Sequence, residues 1–176
     1  MRFVDFLRAT VLLSAGAATA LAAVTVLAAS AGADTQLAET AVGWWLVAGV
    51  IGLRVGRRTQ PNPSIARLLA AARASSTLPA HNPGAVLVNR LWPLALFTLL
   101  SGGLAFLAPQ IPGIAAGFAI IWSLSWRRQD AAVSAIEERD GAAFYVRRTS
   151  PVRAMELVRT PSFRAARPER VNGAVG

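Results

Sequence analysis

Apolar residues run along this chain in four long blocks, with the charged positions gathered between some of them and at the C-terminal end. The first block, residues 10–31, is uncharged over about 22 positions, close to the roughly 20 that carry a helix across a hydrocarbon core of about 30 Å. It is rich in Ala and interrupted by Ser14, Thr19 and Thr25, so each residue gains less on transfer to lipid than Leu or Ile would. Arg2 and Arg8 before it, and Ala31-Gly32-Ala33 after it, also fit a secretory signal peptide. The apolar run exceeds the roughly 7 to 15 residues of such a segment, which favours an uncleaved span.

The second block, 40–55, is shorter and is extended if Arg54 snorkels toward the interface. The third and fourth, 91–108 and 111–126, are separated by Pro109 and Gln110, which leaves room only for a tight helical hairpin. Pro93 is expected in the first turn of the third helix, and Gly102-Gly103 at a bend within it. The pattern predicts an all-α integral membrane protein, four transmembrane helices in two hairpins over 1–126, with a small cytoplasmic C-terminal β-hairpin and basic tail.

Composition supports a membrane class: 54% of 176 residues are hydrophobic, and the formal charge of +9 rests on 18 basic residues that are all Arg. With four crossings, Arg2 and Arg8, the Arg residues from Arg54 to Arg90, and those from Arg127 onward all fall on one side. The other side holds Asp34, Glu39 and no Arg. The positive-inside rule then orients both termini to the cytoplasm. Trp44, Trp45, Trp92 and Trp126 lie near block ends, where indole rings favour the headgroup level, and with Arg54 they are the expected interface anchors.

In the inner loop, 57–90, Pro61-Asn62-Pro63 makes a stop and Ser64 can cap a short amphipathic helix over 64–74. That helix either lies on anionic headgroups or packs as an ordinary loop helix. Residues 127–166 are expected to form the cytoplasmic hairpin and an extended segment, and 167–176 a disordered tail. Asp140-Gly141 between Ala135–Glu138 and Phe144-Tyr145-Val146 signals the hairpin. The competing reading continues a helix to Gly141 as its C-terminal cap.

The same stretch, Ile136 to Gly141 with Phe144-Tyr145-Val146, Arg148-Thr149-Ser150-Pro151 and Leu157-Val158-Arg159-Thr160-Pro161, resembles uncharacterised small multipass membrane proteins of high-GC bacteria. The resemblance implies a bacterial inner-membrane setting and no particular activity.

Candidate chemistry is sparse. The chain has no Cys, which removes disulfides, thiolate nucleophiles and cysteine-ligated metal. Asp, Glu, His and Lys are missing from all four blocks, where a coupled transporter would place its ion-binding group. No P-loop, GxSxG, HExxH or GxGxxG pattern occurs, and His81 stands alone in a Pro-rich loop, so no catalytic, cofactor or metal residue is assigned. Glu137, Glu138 and Asp140 read as a solvated, charged hairpin. Gly52 with Gly56 and Gly113 with Gly117 are GxxxG pairs, serving packing within the chain or in a homo-oligomer. Arg67, Arg73, Arg147, Arg148, Arg153 and Arg159 are the expected contacts to anionic lipid or to a cytoplasmic protein partner. Nucleic acid is not the expected partner, because the orientation rule already accounts for the basic side. Two functions remain: a non-enzymatic anchor or accessory subunit, or a small oligomeric transporter or channel subunit.

Overall fold

A computed structural model describes residues 1–58, 60–75, 83–147 and 155–161. The order of elements is α1 (Phe3–Ala31), α2 (Thr35–Val55), α3 (Pro63–Ala70), β1 (Arg73–Ala74), α4 (Pro83–Gly103), a 3-10 turn (Leu104–Phe106), α5 (Gln110–Trp126), α6 (Gln129–Asp140), β2 (Ala142–Val146) and β3 (Leu157–Pro161). Three helices, α1, α2 and α4 with its 3-10 turn, are long and apolar enough to cross a membrane. Helix α5 has 17 residues, about 26 Å at 1.5 Å per residue.

The helices exceed the apolar blocks because helical backbone does not stop where hydropathy does. Helix α1 starts at Phe3 and carries Asp5 and Arg8 in its first turns. Its 29 residues span about 43 Å, more than the hydrocarbon core requires. Helix α2 starts at Thr35, capped by the Asp34 carboxylate, which accepts the Leu37 N–H at 2.9 Å. Helix α4 starts at Pro83, so Pro93 lies in the helix interior rather than in the first turn. The Gly102-Gly103 pair ends the α-helix instead of bending it, and the backbone tightens to 3-10 geometry at Leu104.

Helix α5 is the hub of the bundle. It runs antiparallel to α1, with Ser123 near Val11 and Gly113 near Thr25, and parallel to α2, with Gly117 against Trp44 and Gly52 against Leu124. Its buried face is made of small residues, Gly113, Ala115, Ala116, Gly117 and Ala119, which let the neighbouring helices approach closely. The outer surface is strongly apolar: Leu12, Leu27, Leu46, Leu99 and Phe106 are all exposed. A surface of that kind suits lipid rather than water.

The largest hydrophobic cluster lies at one end of the bundle rather than in its middle. Phe3, Val4, Phe6 and Leu7 of α1 pack there with Ile65 of α3, Val86 of α4, Val133 of α6, and Phe144, Val146 and Leu157 of the sheet. Trp126, at the end of α5, packs against the same cluster. This small folded unit, the head, therefore gathers the start of α1, the start of α4 and the end of α5. Its sheet has the order β1-β3-β2, with β3 parallel to β1 and antiparallel to β2. The β2 edge is covered by the chain start, through an Arg2–Tyr145 bridge and the Val146 N–H donated to the Met1 carbonyl at 3.1 Å.

The head corrects three expectations. Asp140-Gly141 is not a hairpin turn: Gln129–Asp140 is helix α6, and Gly141, at φ 58°, is its left-handed cap, donating its N–H to the Glu137 carbonyl. Ala and Glu are good helix formers, and Gln129, Ala132, Val133 and Glu137 recur at helical spacing, which outweighs the local turn signal. The antiparallel pair instead joins β2 and β3 across residues 147–156. The amphipathic segment is helix only over Pro63–Ala70, preceded by Asn62 with Pro63 at its first position, so Ser64 is not the cap. Arg73 and Ala74, expected as its last turn, form a strand paired with Val158 and Arg159. The apolar face of α3 is spent on protein, with Ile65 fully buried and Leu68 and Leu69 packed on the head core.

Candidate functional site

Among the described residues the bundle interior buries polar groups but no charges. Thr10, Ser14 and Thr25 of α1 are buried, and each donates its hydroxyl to the carbonyl four residues earlier in its own helix, at 2.8 Å. Ser123 donates at 3.4 Å to the Val11 carbonyl, which ties α5 to α1. These hydroxyls are therefore satisfied within the protein.

The seams of α5 with α2 and α1 absorb both glycine pairs. A Cβ on Gly52 would sit 2.8 Å from the Leu124 Cβ, and one on Gly56 would overlap the Leu124 backbone. A Cβ on Gly117 would overlap the Trp44 indole, and one on Gly113 would meet Thr25 Cγ2 at 3.2 Å. All four glycines thus face partners inside the chain. Trp44 donates its indole N–H to the Ile114 carbonyl at 3.1 Å, Trp45 to the Gly113 carbonyl at 2.9 Å, and Trp44 packs edge-on against Phe118. Of the residues expected as interface anchors, Trp44 and Trp45 are thereby engaged in helix packing. Trp92 and Arg54 are exposed on their helices, and Trp126 stacks on Trp122 while touching the head core.

The head holds the ionic structure. Glu137 is only 6% exposed, and its carboxylate takes two bonds: Arg2 Nη2 donates to Oε2 at 2.6 Å, and the Phe144 N–H donates to Oε1 at 2.9 Å. Its hydrogen bond to the Glu137 carboxylate raises the Arg2 guanidinium above its ordinary value, against the opposing effect of burial. A second pair, Arg8 Nε to Asp130 Oδ2 at 2.9 Å, joins the same two helices nearer the bundle and is more exposed. Together the pairs lay α6 antiparallel along the first turns of α1. Glu137 is accordingly not a solvated residue of a hairpin but an acceptor inside the head. Its signal lay in the spacing from Gln129 and Val133, legible once that stretch is taken as helix.

The expected Arg contacts separate into groups. Arg67 on α3, Arg73 on β1, Arg147 after β2 and Arg159 on β3 are all exposed, while Arg148 and Arg153 lie outside the described residues, as does His81. Arg73 and Arg147 converge on a groove of about 160 Å³ between α3 and the sheet, with Leu68, Met155, Leu157 and Val158 as apolar lining. Glu156 lines it too, and its Oε2 accepts from Arg147 Nη1 at 3.4 Å, with both side chains about half exposed. Among the described residues no cluster of His, Asp or Glu is arranged to hold a metal ion.

Comparison of the chain with protein-family models, with curated proteins and with solved structures finds no match.

Proposed function

We propose that this chain is a multi-pass protein of a bacterial inner membrane, with four spans, both termini cytoplasmic, and a non-enzymatic role as an anchor or accessory subunit. Its basic cytoplasmic head and tail bind anionic lipid or a protein partner. One observation carries the reading: the folded head is built from the ends of the apolar helices themselves, with Phe3, Phe6, Val86 and Trp126 meeting Phe144 and Leu157. A head joined in that way is held rigidly to the bundle and presents Arg67, Arg73, Arg147 and Arg159 on its outside. The turns at the opposite end, around Asp34 and around Pro109, contain no Arg, which supports the orientation. The short α5 serves as the fourth span by sitting at the centre of the bundle and using the adjoining residues 107–109 and 127–128 to reach the interfaces.

The test is to cross-link a tagged full-length chain in its native membranes, extract it in mild detergent, and identify accompanying proteins and lipids by mass spectrometry. A stoichiometric partner or enriched anionic lipid, lost when residues 148–176 are deleted, is the expected result. Retention of every associated molecule after the deletion removes the role given to the tail. The alternative, a small oligomeric transporter or channel subunit, predicts solute flux in liposomes.

A further inference from the structure

We propose that the groove between α3 and the sheet is a binding site for the phosphate of an anionic phospholipid, with Arg73 and Arg147 as its cationic arms. The inference rests on the membrane reading above and assigns the lipid a place. Guanidinium forks match phosphate oxygens in geometry and charge, and neither arm is committed elsewhere. Among the described residues Arg73 makes no ion pair and Arg147 pairs with Glu156 alone, at 3.4 Å, an exposed pair of the kind that contributes little and yields to a stronger anion. The groove therefore carries one cation more than its anions.

Size and lining narrow the ligand. A volume of about 160 Å³ is well under the roughly 300 to 1,000 Å³ of pockets that enclose cofactors or drug-sized molecules, but it admits a phosphoglycerol headgroup. Leu68 and Met155, both partly exposed, supply an apolar wall beside the two cations. A phosphodiester carrying acyl chains is complementary to both features, whereas a free anion would use the arginines and leave the apolar wall in water. The wall residues pack on the head core, which reaches Trp126 at the end of α5 and Val86 near the start of α4, so the groove belongs to the end of the bundle where, on the membrane reading, headgroups lie.

The experiment uses the full chain in neutral detergent and measures binding of dioctanoyl phosphatidylglycerol, dioctanoyl phosphatidylcholine and inorganic phosphate by titration calorimetry. Phosphatidylglycerol is expected to bind at least tenfold more tightly than the other two. Arg73→Gln and Arg147→Gln should each weaken it about fivefold, the usual effect of one cation at an anionic surface. Glu156→Gln should strengthen it about twofold to fivefold, a gain that misfolding cannot imitate, while Arg57→Gln, exposed after α2 and away from the groove lining, should leave it unchanged.

Equal affinity for the two lipids overturns the proposal. So does a loss on Arg57→Gln as large as that on Arg73→Gln, since diffuse charge would then suffice. Inorganic phosphate binding as tightly as phosphatidylglycerol would make the groove a soluble-anion site instead. Alkaline carbonate extraction of native membranes separates the two levels: a protein released by carbonate fails the membrane reading, and a retained protein without lipid preference fails only the groove.

Discussion

Arg2 Nη2 lies 2.6 Å from Glu137 Oε2, a contact between residues 135 positions apart that fastens the first turn of α1 to the last turns of α6. The same carboxylate accepts the Phe144 N–H, so three elements of the head meet on one buried side chain.

Removing that carboxylate should loosen the head without unfolding the bundle. Glu137→Ala leaves the Phe144 N–H without its acceptor and is expected to cost about 2 kcal/mol, because half-exposed Arg2 can turn to water. Glu137→Gln keeps an acceptor for Phe144 and should cost less. Asp130→Asn, at the more exposed pair with Arg8, is expected to stay within about 0.5 kcal/mol. Limited proteolysis of the head in detergent, followed against denaturant, orders the three variants; equal sensitivity of Glu137→Ala and Asp130→Asn contradicts the assigned burial.

The α2–α5 seam makes a sharper prediction. Gly117→Leu has no room beside Trp44 and should separate α2 from α5, with a loss beyond the roughly 1 to 3 kcal/mol of ordinary overpacking. Gly43→Leu, on the same helix as Trp44 but with nothing within 4 Å of its added Cβ, is expected to be neutral. Thermal unfolding in detergent distinguishes them. A stably folded Gly117→Leu chain whose oligomeric state differs from that of the wild type would mean that the pair serves contacts between chains.

Trp45→Phe retains most of the ring and deletes the N–H donated to the Gly113 carbonyl. A loss of about 1 kcal/mol is expected, the net worth of one such bond. Trp92→Phe, on an exposed position, should leave unfolding in detergent unchanged. Indistinguishable midpoints for the two variants would leave the indole bond without a stabilising role.

The absence of Cys allows topology to be read directly with single introduced thiols. Gln36→Cys and Gln110→Cys, both exposed at the end opposite the head, should react with an impermeant maleimide from outside intact cells. Ser64→Cys and Glu138→Cys, exposed at the head, should react only after permeabilisation. Labelling of Gln110→Cys from the same side as Ser64→Cys would remove α4 and α5 as a spanning pair.

The apolar blocks were legible in sequence because lipid imposes a length and a composition on any helix that faces it, and the same hydropathy accounts for α1, α2 and α4. Their true ends were not, since Phe3 to Leu7 and Pro83 to Arg90 extend as helix beyond the apolar runs to build the head core. Asp140-Gly141 shows the limit of local signals: a glycine at positive φ serves a hairpin or a helix cap equally, and only the partners decide. The groove was foreshadowed solely by the Arg residues. Arg73 sits in a two-residue strand whose pairing with Val158 is set by chain 85 positions away, beyond any local pattern.

Taken alone, the sequence determined the membrane-like composition, the one-sided distribution of Arg and the lack of Asp, Glu, His and Lys within the apolar blocks, since these are properties of residues summed along the chain. Tertiary structure decided which residues meet: that Glu137 is buried against Arg2, that Gly117 is the seat of Trp44, and that Arg73 and Arg147 share a groove. Each depends on contacts between distant segments, whose free energy comes from close packing and from pairing buried polar groups, and neither is written in the spacing of one segment.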